Sequence, residues 1–342
     1  MNDSDKVVNT LVDAALVFAT FAAFSFGPVT AGAVATVGTI LQKCMGASQQ
    51  NVCTNISTLV KEEIQDNEIA NYSAVLDTYA QWYNKYYVLA WQGNFKTQIP
   101  SNLKDFDSES PFGKFYNYLA EAVSNPSAPL LQTMNKLQID DKVTSGVNYR
   151  VRAFSAFLTG AGIHLTLYNL YLNIRRASSL NESDEDKTDT LVAIATINSY
   201  VSYANSVVAY INEQIQNRLN QVSAVQEGDE LISVRSPDAI PEDYRGLLFT
   251  DSAAVSRVKE FGNELASLPP DTVDFIPHNS SGFFWWKTYT PNTEQANQDR
   301  AKYIDQLTQQ QQQQYYYTQS DKIAEIIKQW QQSATNLEVV LS

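Results

Sequence analysis

The stretch that decides the fold runs from Tyr149 to Arg176 and reads YRVRAFSAFLTGAGIHLTLYNLYLNIRR. Its middle part, residues 153–174, carries no formal charge, and two arginines stand on each side of it. As an α-helix, these 22 residues would be about 33 Å long, close to the roughly 30 Å thickness of the hydrocarbon core of a bilayer. The pattern therefore predicts one long helix with charges only at its ends.

This helix differs from an ordinary lipid-facing span because it is partly polar. In lipid, each unpaired polar group would cost several kcal/mol, whereas neighbouring helices can supply hydrogen-bond partners. A helix that is apolar nearly all round belongs in the middle of a bundle. We therefore predict an all-α fold, a bundle of about seven or more helices around a central apolar helix. Its polar side chains are Ser155, Thr159, His164, Thr166, Asn169 and Asn173, and the candidate functional side chains are His164, Tyr168 and Asn169.

The pattern Tyr-x-Val-x3-Ser-x-Phe-x3-Ala-x2-His-Leu at residues 149–165 resembles the central fifth helix of the N-terminal pore-forming domain of three-domain Cry insecticidal delta-endotoxins. Two shorter stretches are similar to other parts of that helical-bundle domain. FGPVTAG at 26–32 resembles the turn between the family's first helices, and ATINS at 195–199 resembles the start of its sixth helix. The resemblance, spread over about 225 residues, implies a pore-forming toxin-like protein, and no residue pattern supports an enzyme.

The resemblance also implies how the protein would act. A pore-forming bundle permeabilises a membrane by inserting apolar helices, and the elements expected to insert here are residues 14–42 and 153–174. The implied partners are a lipid bilayer, a cell-surface receptor and further copies of the chain on the membrane. The candidate membrane-contact residues are Phe18, Phe21, Phe24, Trp285 and Trp286.

Both groups of candidate membrane contacts have a second interpretation. Residues 14–42 also fit a buried helical hairpin, because Gly27-Pro28 divides this uncharged stretch and proline breaks a helix interior. The FFWW cluster at 283–286 is either an exposed tip, since Trp favours bilayer interfaces, or an aromatic plug that seals the bundle.

Prolines mark a departure from the toxin family between residues 111 and 139. The family has one long, pore-lining fourth helix at this place. Here Asn125-Pro126 and Pro129 interrupt the segment, and the residue before a proline is pushed out of helical geometry. We expect two shorter helices, at about 111–124 and 128–139. Apolar periodicity predicts further helices at 50–92 and 189–224.

Three regions follow from these patterns. Residues 1–226 form the helical-bundle domain, residues 227–293 form an irregular excursion with a short helix at 252–268, and residues 294–342 form a long C-terminal helix that packs on the bundle. Only 116 residues follow Gln226, too few for the two β-rich recognition domains of the toxins. This shortage favours a competing function, a non-lytic interaction protein that binds a partner through its C-terminal third.

Charge excludes some partners. The formal net charge of −13 argues against nucleic-acid binding, which needs basic side chains to neutralise phosphates. It also argues against simple electrostatic adhesion to anionic lipid. The first residues include Asp3, Asp5 and Asp13, so no clear signal peptide is expected. We expect a soluble form that is secreted or released and acts at a target-cell membrane.

The sequence shows no pattern typical of catalysis or of a bound cofactor. His164 and His278 are the only histidines, and neither stands in a zinc-protease motif. Cys44 and Cys53 cannot supply the four ligands of a structural zinc site, so they form one disulfide or remain free thiols. We expect no metal and no cofactor. His164 is either a hydrogen-bonded core histidine or a pH-sensitive trigger.

Overall fold

We describe the protein from a computed structural model. The structure describes residues 11–16, 18–20, 67–83, 107–138, 143–144, 147–177, 184–225, 231–233, 251–253, 278–281, 287–291, 293–315 and 317–342. Seven helices in this part of the chain are α1 (Asn67–Tyr83), α2 (Pro111–Ser124), α3 (Pro129–Leu137), α4 (Tyr149–Ala177), α5 (Asp184–Leu219), α6 (Thr293–Gln314) and α7 (Ser320–Leu341). Residues 11–16 and 18–20 are also helical.

Five short strands accompany the helices. They are β1 (Val143–Thr144), β2 (Val147–Asn148), β3 (Leu231–Ser233), β4 (His278–Ser281) and β5 (Lys287–Pro291). The first two form an antiparallel pair directly before α4. The other three form a small antiparallel sheet with β5 in the middle. Because the strands are so short, the fold class is the predicted one, an all-α helical bundle.

The chain divides into two compact units. The first comprises residues 1–209 and 315–342, and the second comprises residues 210–314. The sequence instead placed domain boundaries after residues 226 and 293. The first division falls inside α5, a single continuous helix whose apolar pattern gives no signal at that point.

Helix α4 is the core of the first unit. Its side chains from Val151 to Leu172 are buried, with the single exception of the half-buried Arg152. Helices α1, α2 and α3 pack against it. The ring of Phe157 shows how α5 and α7 join the same core, because it makes edge contacts with Tyr203 at 4.5 Å and with Trp330 at 6.4 Å between ring centroids. The predicted central helix is thus confirmed, with bounds slightly wider than the uncharged stretch.

Two glycines let neighbouring elements approach α4 closely. A Cβ atom added to Gly162 would lie 2.6 Å from the Cβ atom of Phe18, and one added to Gly160 would lie 2.6 Å from the sulfur of Met134. Real Cβ atoms do not approach other atoms so closely, so a side chain at either position would require a shift. The absence of a Cβ therefore allows the N-terminal helical segment and α3 to pack directly on the α4 backbone.

The proline-based prediction for residues 111–139 is confirmed. Helix α2 ends at Ser124 and α3 begins at Pro129, so the segment is two helices. Ser110 caps the start of α2, since its hydroxyl oxygen accepts a hydrogen bond from the Gly113 amide at 2.9 Å. Both helices begin with proline, which fits the first turn because its missing N–H would have no partner there.

Other predicted helices are described in part. Of the predicted helix at 50–92, residues 67–83 are described and form one continuous helix. The helix predicted at 189–224 is observed as Asp184–Leu219. The short helix predicted at 252–268 and the FFWW cluster at 283–286 lie outside the described residues, apart from residues 252 and 253.

The C-terminal prediction of one long helix at 294–342 is wrong. The structure has two helices, α6 and α7, separated by residues 315–319. The sequence there is YYYTQ, and tyrosine and threonine are poorer helix formers than the glutamines before them. Tyr317, which lies in this break, is buried. The two helices also belong to different units, α6 to the second and α7 to the first.

Candidate functional site

The three candidate side chains of the central helix are all in the core. His164 and Asn169 are each 1% exposed, and Tyr168 is 2% exposed. His164 and Tyr168 are four residues apart, so they lie on the same face of the helix, and their ring centroids are 5.9 Å apart. We refer to His164 and the two rings that contact it, Tyr168 of α4 and Tyr200 of α5, as the polar cluster.

The polar cluster joins α4 to α5 through one short hydrogen bond. The Tyr200 hydroxyl oxygen lies 2.7 Å from Nδ1 of His164, and the two rings also make an edge contact. Nε2 of His164 makes no hydrogen bond of ordinary geometry among the described residues. Tyr200 is therefore the one side chain among the described residues that is hydrogen-bonded to this imidazole.

Burial sets the charge state of this histidine. Removal from water lowers the pKa of His164 to about 4, and a weaker interaction with the Val123 backbone only partly offsets that effect. Burial also raises the pKa of the Tyr200 hydroxyl. Both side chains are therefore neutral at pH 7, which fits a hydrogen-bonded core pair. The change of charge expected at acid pH is the protonation of His164.

The remaining polar side chains of α4 have hydrogen-bond partners for only some of their polar atoms. The Thr159 hydroxyl lies 2.9 Å from the Leu11 carbonyl oxygen, and Oδ1 of Asn169 accepts a hydrogen bond from Asn173 at 3.0 Å. Among the described residues, Nδ2 of Asn169 and the hydroxyl of Thr166 have no partner. A buried polar group without a partner costs about 1–3 kcal/mol, so these groups destabilise the packed core.

A second set of polar side chains lies at the end of α4 that leads to α5. We call it the loop-end group, and it consists of Tyr171, Arg175 and Asp189. Arg175 forms an ion pair with Asp189 at 3.2 Å and donates a hydrogen bond to the Tyr171 hydroxyl at 2.9 Å. Tyr171 in turn donates to the Asp189 carboxylate at 3.2 Å. The charges at this end are paired and only partly exposed.

The opposite end of α4 is held to α5 by another arginine. Arg150 donates a hydrogen bond to the Ser206 hydroxyl, and its guanidinium lies 5.8 Å from the centre of the Tyr203 ring. The contacts at the two ends, 150 with 206 and 175 with 189, show that α4 and α5 run antiparallel along most of their lengths.

Of the candidate membrane-contact residues, only Phe18 is among the residues that the structure describes. Phe18 is 4% exposed and lies against Gly162, so in this state it is a core residue. Phe21, Phe24, Trp285 and Trp286 lie outside the described residues, as do Cys44 and Cys53. Their expected roles stay predictions.

The described helices include one that is long and apolar enough to cross a bilayer. It is the part of α5 from Lys187 to Leu219, and only 39% of its 18 most apolar consecutive residues are buried in the bundle. The sequence alone predicts the opposite, a mostly buried helix, because no formal charge stands between Asp189 and Glu213.

A charged site in the second unit was missed from sequence. Arg218 makes two hydrogen bonds to the Asp251 carboxylate, at 2.8 and 2.6 Å, and the Tyr303 hydroxyl donates to the same carboxylate. Burial alone would raise the pKa of Asp251, but these hydrogen bonds and the Arg218 charge hold the pKa below its usual value. Arg218 and Asp251 lie 33 residues apart in the chain, so no local pattern links them.

The described residues contain no group of three or more His, Cys, Asp or Glu side chains placed to hold a metal ion. Comparisons with protein-family models, with curated proteins and with solved structures found no match. The features of this chain that bear on function are the two long helices, α4 and α5, and the polar cluster between them.

Proposed function

We propose that this protein permeabilises membranes, as a pore-forming toxin-like bundle that inserts apolar helices into a lipid bilayer. The observation that carries the proposal is the packing of α4. A charge-free stretch of bilayer length, residues 153–174, is held inside a shell of other helices with charged residues only at its ends. Residues 149–165 resemble the central helix of the delta-endotoxin pore-forming domain, which supports the same function.

The apolar part of α4 would lose little on transfer from bundle to bilayer, whereas its polar side chains need partners there. Lipid tails are as apolar as a core of aliphatic side chains, so the apolar surface of α4 loses little when lipid replaces its neighbours. The flanking arginines, Arg150 and Arg175 among them, would reach the polar headgroups at the two surfaces. The partly unpaired groups of Thr166 and Asn169 would gain partners in an assembled pore that contains water.

Dye release from liposomes tests the proposal. The purified protein is added to vesicles loaded with calcein, at pH 5 and pH 8, before and after limited trypsin treatment. We expect release above the background of vesicles without protein in at least one of these conditions. Background release in all of them, on both neutral and anionic lipid, would contradict the proposal.

A matched pair of variants at one position tests the role of the central helix. Asn169→Leu removes a polar group that lacks a full set of partners, so we expect it to keep or increase release. Asn169→Asp has the same shape but places a carboxylate in the membrane-crossing part, which costs about 2.5–3.5 kcal/mol at a bilayer centre. We expect it to reduce release. Urea unfolding of both variants confirms that each is folded before the assay.

The competing function, non-lytic binding through the C-terminal third, also has an observation in its favour. Val339 and Val340, at the end of α7, are 69% and 48% exposed. Exposed neighbouring valines fit a contact with another protein better than with water. If release stays at background, replacement of both valines by serine should weaken self-association or partner capture. An unchanged result would remove the support for this function.

A further inference from the structure

The exposed side of α5 carries an asparagine at every seventh position. These residues are Asn198, Asn205 and Asn212, and all three are exposed. Exposed small residues stand between the asparagines, also seven positions apart. We call this surface of α5 the asparagine face. Its members in the first unit are Leu191, Ala195, Asn198, Ser202, Asn205 and Ala209.

The spacing of the asparagine face is that of a helix contact. Its members are alternately four and three residues apart, and this alternation forms a continuous row along a helix that a second helix can follow. The core side of α5 has the same alternation in Ile194, Ile197, Val201 and Ala204, which are buried in the bundle. Helix α5 therefore has two rows with the spacing of a helix contact, and the bundle covers only one of them.

The asparagine face also differs from the other exposed helix surfaces by its lack of charge. No formal charge stands between Asp189 and Glu213. In contrast, α2, α3, α6 and α7 carry exposed charged side chains, which include Lys114, Lys136, Asp305 and Lys328. A solvated helix face normally has charged residues, so the composition of this face is better suited to contact with another uncharged surface.

Charge and hydrogen-bonding chemistry favour an identical chain as the partner. Two copies with a formal net charge of −13 repel each other, and this repulsion is weakest where the facing surfaces carry no charge. An asparagine side chain both donates and accepts hydrogen bonds, so it is complementary to a second asparagine. The small side chains of Ala195, Ser202 and Ala209 would let two helix axes approach closely. A two-fold contact presents the same surface twice, which a self-complementary face allows.

We propose that the asparagine face binds the asparagine face of a second copy of this chain in solution. The contact joins two α5 helices through amide and hydroxyl groups around a row of small residues. Because it contains no large apolar or aromatic anchor, the association is reversible and depends on protein concentration. The inference goes beyond the proposed function, since this contact needs no membrane.

Charge substitutions at the centre of the face test the inference. Ser202→Glu and Ser202→Lys each place one charge at an exposed position, so the core is not altered. Gln331→Glu, at an exposed position of α7, is the matched control for an added carboxylate. The molar mass of each protein is measured by sedimentation equilibrium at pH 7 over a dilution series. Circular dichroism checks that each variant is folded.

We expect the mass of the unchanged chain and of Gln331→Glu to rise with concentration towards twice that of one chain. Each Ser202 variant alone should stay a monomer, because two like charges would face each other across the contact. An equal mixture of Ser202→Glu and Ser202→Lys should regain the doubled mass. The proposal is overturned if the unchanged chain is monomeric throughout, if the Ser202 variants associate as it does, or if their mixture stays monomeric. These measurements contain no lipid, so their result is separate from that of the dye-release assay.

Discussion

The Tyr200 hydroxyl oxygen lies 2.7 Å from Nδ1 of His164, and both side chains are buried in the core of the first unit. This hydrogen bond connects the middle of α4 to α5. Because the surroundings are apolar, loss of the bond leaves a polar atom buried without a partner. The pair therefore stabilises the bundle and holds the two helices together.

The variant Tyr200→Phe should destabilise the first unit by about 1–3 kcal/mol, because Nδ1 of His164 would lose its partner without access to water. The measurement is urea unfolding at pH 7, followed by circular dichroism. Tyr203→Phe is the matched control, since its hydroxyl donates to the Leu137 carbonyl from a half-buried position and its loss should cost less. Equal losses of unfolding free energy in the two variants would contradict the claim that the hydrogen bond between His164 and Tyr200 stabilises the core.

Stability should fall at mildly acid pH because of His164. Its pKa is about 4 in the folded protein against 6.5 for an ordinary histidine, so the unfolded chain takes up the proton first. The stabilisation is complete above pH 6.5 and is lost as the pH falls from about 6.5 to about 4, by about 3 kcal/mol. Unfolding by urea at pH 7, 6, 5 and 4.5 measures how the free energy of unfolding changes with pH. The change should be smaller in His164→Gln. An identical change in that variant would show that other groups cause the pH dependence.

Asp251→Asn should destabilise the second unit. The change removes the negative charge that Arg218 and Tyr303 bind, and hydrogen bonds to buried charged groups contribute about 2–3 kcal/mol. Proteolysis during urea unfolding, with cleavage sites mapped within residues 210–314, measures the effect. The control is Glu109→Gln, which breaks the exposed ion pair with Lys114 and should change nothing measurable. An unaffected Asp251 variant would mean that the site is not structurally important.

A methyl group should be tolerated differently at the two glycines of α4. Gly162→Ala places a carbon 2.6 Å from the Cβ of Phe18, which cannot move without its backbone, so we expect a loss of about 1–3 kcal/mol. Gly160→Ala approaches the flexible side chain of Met134, and the gain in helix propensity offsets the crowding. Thermal unfolding compares the two variants. A lower stability for Gly160→Ala would contradict the described packing of the N-terminal segment.

The parts of the fold that were predictable have strong local signals. The prolines at 126 and 129 forced a break between α2 and α3, and the charge-free stretch between two arginine pairs identified α4 as the central helix. Proline excludes helical geometry, and burial of a charge costs free energy, at any place in a chain. Both patterns can therefore be interpreted without a structure.

Other features depend on residues far apart in the chain. The Arg218–Asp251 pair and the contact of His164 with Tyr200 arise only when the helices pack, and carboxylates and tyrosines are too numerous to select from sequence. The break between α6 and α7 depends on weak propensities and on burial of Tyr317. The low burial of α5 was also hidden, because its apolar periodicity is that of a core helix.

Current through a planar lipid bilayer tests the central claim most directly, because it separates pores from general membrane damage. The purified protein is added to one side of the membrane at fixed voltage, before and after limited trypsin treatment. Insertion of α4 into an assembled pore predicts discrete current steps of uniform size. A silent membrane, or an irregular loss of resistance without steps, would contradict the claim that this bundle forms a pore.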